Sequence, residues 1–427
     1  MKKIDIIQSI NSVLNHLPED WVNLTTHRLD IYNEELAKVE FLENFNELVE
    51  RHNISQSNLE KLPTAYDYIR LGHPLSSILE WAIAHLVGLD ANKVIAFSSK
   101  TIPILAILRK NLFDGITTQI LYKDELPSFF NTEIVREIYG YNFEILQVDD
   151  YQSIPSFEGS QVLITENNEI NKIYRVEQVD FQIQILQDSG SILLVNSDSS
   201  NEDVAAIQHV RRRETVAMTP LNSLLALKKL TKQPAENINK ILDNKIENLN
   251  KIENLVRQIT DTSSMPIFGS SGLSIQYAIM MGLIDQSIKN HPGKQIKIVV
   301  PPNCYGGTND QARRVAACLD HVDIMDLPVD GDHDMVQSTE LVLDKVAKMD
   351  AVPLIIAEIP TNPRVEVPDL AQLKAVLSEE RITPAGEKAV DPVFILDQTF
   401  CPNVQFLSNE GILSSVRTIS YVSGSKF

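Results

Sequence analysis

Cysteine is nearly absent from this chain: Cys304, Cys318 and Cys401 are the only three in 427 residues. Widely spaced and odd in number, they indicate neither a disulfide framework nor a metal site, and they point to a reducing compartment. Long apolar runs are missing as well. No stretch approaches the roughly 20 residues that span a bilayer, so no membrane association is expected. The opening, MKKIDIIQSINSVLNHLPEDW, scatters Asp, Gln, Asn and Glu through its apolar residues and so lacks the uninterrupted core of a signal peptide. A cytoplasmic protein is the expectation. The third absence is an excess of positive charge. With 57 acidic against 38 basic residues and a formal net charge of -19, the chain would repel a phosphate backbone, and no nucleic-acid partner is expected.

What is present is the composition of a folding chain, with 43% hydrophobic and 22% charged residues. Its length exceeds what one core usually organises, which predicts two or more domains. Residues 1–63 read as helical, with apolar residues spaced near three and four at Leu29, Ile31, Leu36, Val39 and Leu42. Residues 64–230 alternate helices with short apolar runs: VIAF at Val94 to Phe97, QVLIT at Gln161 to Thr165, and SILLV at Ser191 to Val195. That alternation predicts a parallel sheet covered by helices on both faces. Residues 231–262 are rich in Asn, Lys and Glu, with apolar residues at Ile238, Leu242, Leu249, Ile252, Val256 and Ile259. The heptad-like spacing predicts a long amphipathic helix, either a connector packed on a domain surface or a dimerising coiled coil. From residue 263 the α/β alternation resumes. An apolar helix from Ser274 to Ile284 precedes the strands IKIVV, VPLIIAEI, PVFILD and RTISYVS, each followed by a polar loop. Such loops are where α/β proteins place their chemistry.

Five stretches lie in order in this last segment. Gly269-Ser270-Ser271-Gly272-Leu273 precedes the apolar helix, where backbone N–H groups either receive an anion or merely form a cap. Tyr305-Gly306-Gly307-Thr308 follows the first strand, and its ring either stacks on a planar ligand or serves a structural turn. Glu358-Ile359-Pro360-Thr361-Asn362-Pro363 and Asp397-Gln398-Thr399-Phe400 each begin where an apolar strand stops. A carboxylate there is a helix cap or the partner of a ligand cation. The fifth is Ser423-Gly424-Ser425-Lys426-Phe427. A lysine at the end of a buried strand is costly unless it has a purpose, and desolvation lowers its pKa toward a nucleophilic amine.

Together, SSGL, YGGT, EIPTNP, DQTF and SGSKF resemble the motifs of the Cys/Met-metabolism family of fold-type I enzymes dependent on pyridoxal 5'-phosphate (PLP). That family includes cystathionine γ-synthase, cystathionine lyases, methionine γ-lyase and O-acylhomoserine sulfhydrylases. The resemblance implies a three-layer α/β fold with a mostly parallel sheet, and PLP as cofactor. It implies that Lys426 holds the cofactor covalently, that Asp397 pairs with its ring nitrogen, and that Tyr305 stacks on the ring. Ser271, Gly272, Leu273, Ser423 and Ser425 would hold the phosphate, with Asn362 near the phenolic oxygen. The implied activity is that of a lyase or transferase in Cys/Met metabolism and trans-sulfuration, by β/γ-elimination or γ-replacement. The implied substrates are small sulfur-containing or O-acyl homoserine-type amino acids, and the implied assembly is a homo-oligomer. Departures are Ile359, Gln398 and Ser425, where the family has Ser/Thr, Asn and Thr. The family also continues into a smaller C-terminal domain, expected to be absent from this chain. A catalytically silent scaffold or partner subunit is the competing expectation.

Residues 64–230 resemble the same family less closely. Tyr68-Ile69-Arg70-Leu71-Gly72-His73-Pro74 looks like its YSRxxNPT stretch and Phe97-Ser98-Ser99 like its FSSG, but Lys100 replaces the glycine and no lysine stands near Thr215 to Thr219. The expectation is a degenerate, non-catalytic repeat. In the family the tyrosine and arginine of this stretch bind the phosphate of a neighbouring subunit's cofactor, so Tyr68 and Arg70 join the expected cofactor-binding residues.

Overall fold

The computed structural model describes residues 3–23, 34–66, 68–166, 169–196, 201–234, 244–330, 333–362 and 364–424. Two compact units divide the chain, one of Met1–Val135 and Tyr141–Asp243 and the other of Arg136–Gly140 and Asn244–Phe427. No described helix is long and apolar enough to cross a membrane.

The first unit carries a six-stranded sheet of β1 (Val94–Phe97), β2 (Thr118–Tyr122), β3 (Phe143–Gln147), β4 (Ser160–Glu166), β5 (Phe181–Leu186) and β6 (Gly190–Val195). Their order across the sheet is β1-β6-β5-β4-β2-β3. The expectation of a parallel sheet here is corrected: β6 runs antiparallel to both β1 and β5, while the remaining pairs are parallel. The reason is local. Residues 187–189 are too few for a crossover, so β5 and β6 must form a hairpin. The turn closes on Gly190, whose φ of +112° and approach to the Phe97 carbonyl leave no room for a side chain. The strand β5 escapes a search for apolar runs because it contains Gln182 and Gln184. Both are buried and bonded, Gln182 accepting from the Val176 N–H at 2.9 Å and Gln184 accepting from the Thr165 hydroxyl at 2.9 Å.

The helices Lys3–Asn15, Glu34–Glu50, Pro74–Val87 and Pro220–Thr231 supply the apolar core on one face, with Trp81, Phe41 and Phe45 among its largest side chains. Of the apolar residues expected at the start, Leu42 is buried and Val39 is exposed, while Leu29 and Ile31 lie outside the described residues. A buried ionic group ties these helices to the sheet. Glu80 pairs with Lys38 at 2.6 Å and with Arg211 at 2.8 Å, and it accepts the Ala96 N–H at 2.8 Å. Burial alone would raise the Glu80 pKa, but the two cations and that N–H hold it below the usual carboxylate range.

The second unit carries β7 (Ile296–Val300), β8 (Val322–Asp326), β9 (Val352–Glu358), β10 (Val393–Asp397) and β11 (Thr418–Tyr421), in the order β11-β10-β9-β7-β8 and parallel throughout. Helices Gly272–Asn290, Gly306–Ala317, Met335–Lys348 and Leu370–Ser378 connect or flank these strands. Leaving β1 aside, the first unit has the same order, β6-β5-β4-β2-β3. The heptad-like segment forms a shorter helix than its spacing predicts, Lys245–Thr260, and Ile238 and Leu242 lie outside the described residues. Of its apolar positions, Leu249, Ile252 and Ile259 are exposed and Val256 is half-buried.

Removing one member of a buried ion pair leaves uncompensated charge, at a cost of about 3–5 kcal/mol. Glu80→Gln should lower the unfolding free energy by that order, read as a shift of the urea midpoint. The double variant Glu80→Leu with Arg211→Met should lose less than Glu80→Gln alone.

Candidate active site at the strand ends of the second unit

Parallel strands bring all their C-terminal ends to one edge of the sheet, and described residues of all five stretches lie there. The helix Gly272–Asn290 begins in a reciprocal cap, with the Ser271 hydroxyl accepting the Ser274 N–H at 3.1 Å and the Ser274 hydroxyl accepting the Ser271 N–H at 2.9 Å. Its first residue is packed against the end of the sheet: a β-carbon on Gly272 would lie 2.6 Å from Ser423 Cβ and 3.2 Å from Ser423 Cα. Glycine is what allows this helix start and the chain after β11 to approach so closely. Ser423 is tied in turn to the loop after β10, its N–H donating to the Thr399 hydroxyl at 2.9 Å.

The ends of β9, β10 and β11 are aligned in register, with Asp397 opposite Glu358 on one side and Tyr421 on the other. Glu358 is only 6% exposed. One of its oxygens accepts the Tyr305 N–H at 2.8 Å, and the other is buried with no hydrogen-bond partner among the described residues. Burial, helped by the charge of Asp397 and opposed by the Tyr305 N–H, pushes its pKa up to about 7. Burial likewise raises Asp397, against the opposing hydrogen bonds from Thr399 and Tyr421. The Thr399 N–H reaches Asp397 Oδ1 at 2.9 Å. Burial pushes the neighbouring Cys304 thiol up to about 12, with the Glu358 charge acting in the same direction. Tyr305 stands at the start of helix Gly306–Ala317 and is 40% exposed. Asn362 is half-buried just beyond the end of β9.

The structure thus groups Ser271, Gly272, Leu273, Tyr305, Asn362, Asp397 and Ser423 in one unit at one sheet edge. Ser425 and Lys426 lie outside the described residues. Tyr68 and Arg70 belong to the first unit, where the Arg70 guanidinium carbon lies 4.2 Å from the centroid of the Tyr68 ring. Sequence reasoning left Glu358 without a role and missed Gln276 and Tyr421. Their signal was a polar residue inside an otherwise apolar helix and a hydroxyl-bearing ring at the last position of an apolar strand. Among the described residues, no group of three His, Cys, Asp or Glu could hold a metal ion.

These residues fit PLP as the resemblance assigns it. The Gly272 cradle beside Ser423 offers backbone N–H groups of a 19-residue helix to a phosphate. Asp397 has no cationic partner among the described residues, and a protonated ring nitrogen would supply one.

No family model matches the chain, and no curated protein does. Solved structures do share a likeness with part of it, among them the following two. A cystathionine γ-lyase from Micromonospora echinospora is 19% identical, with a TM-score of 0.25, over 36% of this chain and 33% of the other. A protein assigned as an O-acetylhomoserine (thiol)-lyase from Campylobacter jejuni, bearing a pyridoxyl-lysine monophosphate, is 12% identical, with a TM-score of 0.29, over 58% of this chain and 75% of the other. The chain therefore spans about a third of the length of the first.

The raised pKa of Glu358 has a definite sign. The folded protein holds the Glu358 proton more tightly than the unfolded chain, so the stabilisation is complete below about pH 4.5 and is lost as the pH rises to about 7. That loss amounts to about 3 kcal/mol. Glu358→Gln keeps an acceptor for the Tyr305 N–H and cannot ionise. Its unfolding free energy, measured in urea from pH 4 to 8, should fall less with rising pH than that of the native protein.

Proposed function

We propose that the second unit binds PLP and that the chain is a PLP-dependent lyase or transferase of Cys/Met metabolism. Its substrates on this reading are sulfur-containing or O-acyl homoserine-type amino acids, which undergo β/γ-elimination or γ-replacement. The observation that supports it is the convergence at one sheet edge: Asp397, buried at the end of β10 with no cationic partner among the described residues, and Ser423 packed on Gly272 at a helix start.

When bound, PLP supplies an electron sink that stabilises negative charge on the substrate's α-carbon. The residues of the chain do the rest. Backbone N–H groups at Gly272 and Leu273, with Ser423 and Ser425, hold the phosphate dianion. Asp397 keeps a proton at the ring nitrogen, and Thr399 fixes one of its oxygens. Tyr305 covers a face of the ring, and Asn362 is assigned to the phenolic oxygen. Lys426 would hold the cofactor covalently, and its free amine would be the base that moves protons.

The first unit is read as a degenerate copy of the same plan. Its support is the shared strand order and the absence of a lysine between Thr215 and Thr219. On this reading the active assembly is a homo-oligomer.

Mixing the protein with PLP should produce a visible absorption band, and borohydride reduction followed by peptide mapping should find the label on Lys426. Asp397→Asn should keep the fold, seen by far-UV dichroism, and lose activity by at least about 100-fold, because a neutral partner cannot hold the ring proton. Absence of any band would reject the proposal in favour of a silent scaffold. Near-normal turnover by the Asn variant would reduce Asp397 to a cap.

A further inference from the structure

Behind Asp397 lies a set of buried polar groups that the cofactor assignment does not use. Gln276 is fully buried on helix Gly272–Asn290, and Tyr421, at the end of β11, is 6% exposed. The Tyr421 hydroxyl donates to Gln276 Oε1 at 2.7 Å. Its neighbour across the β10–β11 register is Asp397, whose carboxyl acts on the hydroxyl electrostatically, as the Thr308 side chain also does. The Gln276 amide is oriented by Thr308, its Nε2 reaching the Thr308 carbonyl at 3.4 Å while its Oε1 receives the Thr308 hydroxyl at 3.0 Å.

Tyr421 therefore has one proton and two acceptors. Burial, with the charge of Asp397 next to it, raises its pKa well above the usual tyrosine value, so that proton stays on the ring oxygen. A carboxylate is the stronger acceptor, because charge-assisted hydrogen bonds are roughly twice as strong as neutral ones. A neutral carboxyl loses that advantage, and the amide oxygen then takes the proton.

We propose that Tyr421, seated by Gln276, is a positioning residue for Asp397: its hydroxyl proton turns to Asp397 when that carboxylate is charged and to Gln276 when it is neutral. The pair thereby sets how readily Asp397 ionises and which way it points. Among the described residues, the titratable groups facing Asp397 are Glu358 on β9, Tyr421 on β11 and Cys401 in the following loop. The groups facing it from the helices, Gln276 and Thr308, carry no charge. The consequence for cofactor binding rests on the function proposed above, whereas the proton geometry does not.

The two members of the pair make opposite predictions. Tyr421→Phe removes the donor and should move the Asp397 titration upward. Gln276→Met fills the same space, removes the competing acceptor, commits the tyrosine proton to Asp397 and should move that titration downward. The measurement is carbon-13 NMR of the aspartate carboxyl groups in the full-length, cofactor-free protein, with Asp397→Asn assigning the resonance and far-UV dichroism checking each fold. PLP titration then adds a second readout, in which Tyr421→Phe should bind about tenfold more weakly and Gln276→Met no more weakly than the native protein.

Shifts of the same sign in both variants, or no shift in either, would overturn the proposal. Should Tyr421→Phe fail to fold, Gln276→Met decides alone, and an unmoved or raised titration overturns it. Opposite shifts in a protein that binds no PLP would uphold the positioning pair and remove the proposed function. PLP binding with unmoved titrations would do the reverse.

Discussion

Two carboxylates end adjacent parallel strands in the same register, and the surroundings of the second unit's sheet edge follow from having to accommodate them. Glu358 and Asp397 are neighbours because β9 and β10 pair in parallel, which also puts both at the end where the loops gather. Buried acids so close cannot both ionise freely. The structure answers with donors: the Tyr305 N–H for Glu358 and the Thr399 N–H for Asp397. Each donor comes from a different loop or strand. The same bonds that ease the charges therefore fix the loops after β7 and β10 relative to the sheet.

That arrangement was partly legible in the sequence. The strands of the second unit announce themselves as unbroken apolar runs, because parallel strands covered on both faces have no solvent side to vary. The runs IKIVV and VFILD coincide with β7 and β10, and the motifs after them fall at the strand ends. The strand β8, VDIMD, stayed hidden because it lies at the sheet edge and keeps polar residues. In the first unit β5 stayed hidden for the opposite reason: its glutamines are buried, with hydrogen bonds that a pattern of polar letters cannot show. The reversed direction of β6 could have been inferred only by finding β5 first and noticing how short the link is.

The residues that sequence reading passed over in the site share a cause. Gln276 and Tyr421 are 145 positions apart, yet their side chains meet at 2.7 Å. A motif search weighs neighbours along the chain, and this contact is made across helix and sheet. Glu358 sat inside a recognised stretch, but its importance lies in the register with Asp397, which exists only once β9 and β10 are paired.

The two units treat buried charge differently. In the first unit the buried acids are matched: Glu80 has Lys38 and Arg211, and Glu214 has Arg109. Such groups rigidify a core and need nothing from outside. In the second unit Glu358 and Asp397 have only neutral donors among the described residues, so their burial pushes both pKa values up. A fold does not gain stability from unmatched buried carboxylates. Their presence at the strand ends, where α/β folds bind ligands, with no cationic partner among the described residues, marks that edge as the functional one.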